Sequence, residues 1–154
     1  QTVANVIALT NIRFVLLCAL GLASSANAAV LSGIAGGPTW TSRSSTQYNG
    51  TAHRVSIWSG VPTVDYTGTI VVTFGATQTS GRWSLNEFSG VDTATNDGVV
   101  QQAVGTGNDT TPLATLAAFD STSNATFGVR SLGRNEAMAS TKTRVPPGSV
   151  PPGT

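Results

Sequence analysis

Phe14-Val15-Leu16-Leu17-Cys18-Ala19-Leu20 is the stretch on which the reading of this chain turns. The run is unbroken and apolar, Arg13 stands before it, and Ala23-Ser24-Ser25-Ala26-Asn27-Ala28 follows closely. A basic residue, an apolar stretch and an Ala-x-Ala site are the grammar of a secretory signal. The residues before Arg13 argue against that, because they are uncharged and partly apolar where a signal begins basic. A bilayer-spanning helix needs about 20 apolar residues, more than this run offers, so no membrane span is expected. The same pattern describes a strand covered on both faces. We read it as a core strand, with a signal-like relic as the alternative. Cys18 is then a small buried hydrophobe.

Outward from this run, alternation and turn residues dominate. Thr2–Leu9 is a β-prone segment without charge, and Ala29-Val30-Leu31 is brief and runs into a glycine-rich turn at Gly33–Pro38. Thr39–Thr46 alternates around Trp40. In Thr51–Trp58, His53, Val55 and Ile57 share one parity, while Arg54, Ser56 and Trp58 share the other. Thr67–Phe74 groups Ile70, Val72 and Phe74, and Arg82–Phe88 points Trp83 and Leu85 inward. Phe88 falls on the opposite parity, which predicts a bulge. Weaker strands are expected at Val99–Val104, Leu113–Phe119 and Ala125–Ser131. Asn49-Gly50, Ser59-Gly60, Ser80-Gly81, Ser89-Gly90 and Asp97-Gly98 punctuate the series as turns.

Short strands at this spacing predict an all-β chain folded as a single β-sandwich, jelly-roll-like, with an immunoglobulin-like sandwich as the alternative. The lone cysteine removes the Cys…Trp…Cys hallmark of the latter. Residues 1–10 read as an N-terminal β-prone arm, 11–134 as the sandwich, and 135–154 as a polar then Pro/Gly-rich tail. That tail ends in Val145-Pro-Pro-Gly-Ser-Val-Pro-Pro-Gly-Thr154, whose prolines lack the donor a central strand requires.

Composition narrows the function. Only 10% of the 154 residues are charged and the formal net charge is +1. The seven arginines are scattered and Lys142 is the only lysine, so no basic stripe exists for nucleic acid. Serine and threonine, 16 and 23 residues, make 39 of the 154. Such a lysine-poor hydroxyl-rich surface suits secreted material. Three glycosylation sequons begin at Asn49, Asn108 and Asn124.

Catalytic chemistry is hard to assemble. One histidine and one cysteine exclude a His- or Cys-rich metal site within the chain. His53 lacks any nucleophile-elbow signature beside it. Glu87 with Asp92 is the only carboxylate pairing worth naming for glycoside hydrolysis. Asp92–Gly98 has no oxygen-bearing third side chain, and Ala103 stands where a calcium loop carries its bidentate glutamate. The expectation is a non-enzyme without cofactor or metal. Trp40, Trp58 and Trp83 are read as core or interface residues, or as a stacking platform for sugar.

Asn11-Ile12-Arg13-Phe14-Val15-Leu16-Leu17, Thr39-Trp40-Thr41, His53–Trp58, Trp83–Thr93 and Asn124–Gly128 together give residues 11–130 a resemblance to β-sandwich domains of bacterial surface and phage structural proteins. The matched residues are packing and turn positions, so the resemblance implies fold and setting and carries no catalytic residue. Two functional readings stand. One is a structural subunit that polymerises with itself into an extracellular filament, pilus-like or phage-tail-like. In it the arm adds as a strand to a neighbour, with Val3, Ile7 and Leu9, or on the other parity Val6, filling pockets. The other is a surface carbohydrate-binding module using the tryptophans. Localisation is expected at the cell surface or outside it, or in a virion.

Overall fold

The computed structural model describes residues 1–11, 13–22, 28–48, 51–94, 98–105, 113–118, 125–130 and 139–144. Nine strands lie within them: β1 (Thr2–Leu9), β2 (Phe14–Leu22), β3 (Leu31–Ala35), β4 (Thr41–Tyr48), β5 (His53–Gly60), β6 (Tyr66–Phe74), β7 (Ser80–Phe88), β8 (Ala125–Arg130) and β9 (Ala139–Arg144). They form a three-stranded sheet in the order β1-β6-β3, a four-stranded sheet in the order β4-β5-β2-β7, and the separate pair β8-β9. Every pairing is antiparallel. The two larger sheets face each other as a β-sandwich.

The apolar run from Phe14 becomes β2, a central strand of the four-stranded sheet. Every residue from Phe14 to Gly21 is buried. Its odd positions Val15, Leu17 and Ala19 join Leu9, Leu31, Ile70, Val72 and Phe74 between the sheets. Its even positions Phe14, Leu16 and Cys18 form a second cluster on the opposite face, beneath Val91, Val99, Phe127 and Val129. An alternating strand would have sufficed for one covered face. Cover on both is why β2 reads as continuous hydrophobe.

That second layer corrects the bulge expected at Phe88. No bulge interrupts β2–β7, whose register runs unbroken from Phe14↔Phe88 to Leu22↔Ser80. Phe88 simply faces the other way, into a site that is also apolar, with ring centroids 6.0 Å from Phe14 and 5.6 Å from Phe127. The register shifts lie elsewhere, between Leu31 and Gly33 on β3 and between Ser42 and Ser44 on β4.

Three other expectations change. Residues 99–104 and 113–118 form no strand. β3 starts at Leu31, and so continues into the glycines expected to end it. There Gly36 holds φ +83°, and a side chain would collide with the Thr69 carbonyl. β9 lies within the segment read as tail, and its polar Ala-Ser-Thr-Lys-Thr-Arg sequence offers no apolar alternation to announce it. Pro146 and the residues beyond it lie outside the described residues.

Candidate assembly surface

Residues 1–10, expected to be an arm, are paired within their own chain. β1 lies along β6 in register from Thr2↔Thr73 to Leu9↔Tyr66. Val3 and Ile7 pack against the intersheet core, and Leu9 is buried in it. Val3 Cγ2 rests over Gly81 and Leu9 Cδ1 beside Gly37. Val6, on the other parity, is 68% exposed, and Thr2, Ala4 and Ala8 share its outward face.

The backbone of β1 divides by parity as well. The Phe74 amide donates to the Gln1 carbonyl at 2.8 Å, which makes Gln1↔Phe74 a hydrogen-bonded pair. Bonded and non-bonded pairs alternate in an antiparallel ladder. The amides and carbonyls of Val3, Asn5, Ile7 and Leu9 therefore point to β6. Those of Thr2, Ala4, Val6 and Ala8 point to the open edge. The Val6 amide is covered by its neighbour, donating to Asn5 Oδ1 at 3.0 Å.

β1 differs from the sandwich's other three edges. β3 is five residues long with a register shift in it. β4 carries a shift and Arg43, whose Nε donates to the buried Ser59 Oγ at 2.6 Å. β7 carries Arg82 and Glu87. Bulges, charges and shortness are how an edge is protected from pairing with another chain. β1 has eight residues with no charge, no proline and no shift.

Side chains add to the hold at both its ends. At the start, the Gln78 amide donates to Gln1 Oε1 at 3.0 Å, and Gln78 is itself buried. At the finish, the Thr10 amide donates to Glu87 Oε1 at 2.7 Å and the Asn11 amide to Asp65 Oδ1 at 2.8 Å. Glu87 thus accepts a backbone bond just beyond the end of β1. Asp92 closes a local turn by accepting the Ala94 amide at 3.0 Å.

The remaining candidates are dispersed. Trp40, Trp58 and Trp83 are half-buried with their rings against the intersheet core, and Trp40 Nε1 donates to the Gly36 carbonyl at 2.8 Å. His53 stands edge-on to Tyr48 with ring centroids 5.1 Å apart. Asn49, Asn108 and Asn124 lie outside the described residues. Among the described residues, no three His, Cys, Asp or Glu side chains come together as a metal site. No described helix is long and apolar enough to cross a membrane. Cys18 is buried, which pushes its thiol pKa up to about 12. No protein-family model, curated protein or solved structure matches this chain.

Sequence reasoning singled out residues 1–10 through their lack of charge. It missed Gln78, Asp65 and Glu87 as their fastenings. No local signal exists for those, since the hydrogen bonds join residues 54 to 77 positions apart.

Proposed function

We infer that this chain is a structural subunit that assembles with copies of itself through residues 1–10, forming an extracellular filament of the pilus-like or phage-tail kind. One observation carries the reading: among the described edge strands of the sandwich, β1 alone has no charge, no proline and no register shift, so nothing in it ties it to its own β6 rather than to the β6 of another copy. The composition supports it. With 10% charged residues and a net charge of +1, little repulsion keeps copies apart. A surface rich in serine and threonine suits a filament outside the cell, with the three sequons as places for glycan, and equally suits a virion component.

Electron microscopy and sedimentation of the purified chain test this directly. Filaments should appear as concentration rises, and excess synthetic peptide of residues 1–10 should shorten them. A chain that stays monomeric from micromolar to millimolar concentration overturns the reading.

A further inference from the structure

Resting on that reading, we propose that copies are joined by exchange of β1: the strand leaves its own β6 and takes the same place on the β6 of the next copy. The alternative is edge addition, in which β1 stays at home and offers its open side. Since β1 is the edge without charge, proline or register shift, edge addition would set β1 against β1. That arrangement uses the same patch on both copies and closes at a dimer, whereas a filament needs two different patches. Exchange supplies them, because each copy has one strand to give and one vacated groove to fill.

Three features of the fold favour exchange. The acceptor already exists in the required form: β6 with its own Ile70 and Val72 on the inner face, Gly81 beneath Val3 and Gly37 beside Leu9. The neighbour's groove is the same groove, so β1 packs there as it packs at home, and the cost is that of opening and not of a poorer fit. The open side of β1 is interrupted at its centre, where Asn5 Oδ1 occupies the Val6 amide that edge addition needs. Finally, only residues 10–13 separate β1 from β2, which belongs to the other sheet. The Thr10 and Asn11 amides there are held by the exposed carboxylates of Glu87 and Asp65, not by a ladder. Those two bonds are what an opening of β1 at this link has to release.

The register dictates the test. Ala4 and Val71 are directly opposed on the outward face, as a non-hydrogen-bonded pair. Such pairs have Cα atoms about 4.5 Å apart, within the span of a disulfide. One preparation carries Ala4→Cys alone, and a second carries Val71→Cys alone. They are mixed, assembled, oxidised, denatured in excess alkylating agent and run without reductant, so that Cys18, buried in the native fold, is blocked as it is exposed. Exchange predicts a covalent heterodimer that appears only after co-assembly. Val6→Cys with Thr69→Cys, the next such pair, should behave alike and guards against one substitution disturbing the fold. If filaments form and neither pair yields heterodimer, exchange is overturned while self-assembly stands. If no filament forms, the reading beneath it has failed as well.

Discussion

Gly21 of β2 and Gly81 of β7 face each other in register, and the ring of Phe74 from the opposing sheet occupies the room that two side chains would need. A Cβ on Gly81 would stand 2.7 Å from Phe74 Cε2, and one on Gly21 3.0 Å from Phe74 Cε1. This is where the two sheets approach closely, at the end of the sandwich where Gln1 and Gln78 fasten β1. Neither glycine has an unusual backbone angle; space alone requires them.

Gly81→Ala should therefore destabilise the fold by about 1–3 kcal/mol, the usual cost of overpacking. Urea denaturation followed by tryptophan fluorescence measures it. Gly33→Ala is the control, since a Cβ there meets nothing within 4 Å, and it should lower the midpoint much less. Equal effects from the two would mean that strand propensity, and not the Phe74 ring, sets the cost.

Leu16→Asp tests the covered strand. Leu16 is 7% exposed, in the cluster with Phe14 and Cys18. A carboxylate there has no cationic partner in that cluster, and an uncompensated buried charge costs on the order of 5 kcal/mol, comparable with the whole stability of a small domain. Circular dichroism should show an unfolded chain at 25 °C. A folded Leu16→Asp protein would mean that the layer above β2 is not tightly applied.

Cys18 should resist thiol reagents in the native state. Its thiolate is the reactive form, and burial raises the thiol pKa to about 12. Alkylation at pH 8 should be slow in buffer and rapid in denaturant, as read by mass spectrometry. Raising the pH toward 12 increases the thiolate fraction, so native reactivity should climb steeply with pH, provided the fold survives. Fast labelling at pH 8 in buffer would show that the second cluster opens readily.

How much of this was legible in the sequence depended on whether a signal was local. Phe14–Leu20 announced itself because a strand covered on both sides has to be apolar at every position. Ile70, Val72 and Phe74 did so through alternation. Phe88 misled for the same reason that β2 did not: with both faces covered, an apolar residue on either parity has a home, and a bulge is no longer needed to explain it. β9 stayed hidden because its Ser and Thr alternate with nothing apolar. The edge status of β1 was beyond any local pattern, since residues 2–9 meet residues 66–73 and only the sheet order leaves their other side open. Charge poverty marked the segment, but its place on β6 came from folding.

Deletion of residues 1–10 is the most demanding test of the joint. The deletion removes Leu9 from the core, uncovers the edge of β6 and abolishes the bonds that Gln1 and Thr10 make to β7 and the β6–β7 turn. Burial of one Leu-sized side chain is worth about 1.5–3 kcal/mol, so the truncated chain should be markedly less stable than the full one. Without a strand to donate it should form no filaments at any concentration. Its vacated groove should nevertheless bind the synthetic peptide of residues 1–10 and recover stability, as seen by a rise in melting temperature that saturates at one peptide per chain. A Leu9→Asp peptide should fail, because the carboxylate would enter the site that buries Leu9. Normal filaments from the truncated chain would remove residues 1–10 from the joint altogether. A truncated chain that neither folds nor responds to peptide would mean that β1 belongs to its own core and is not an exchangeable part.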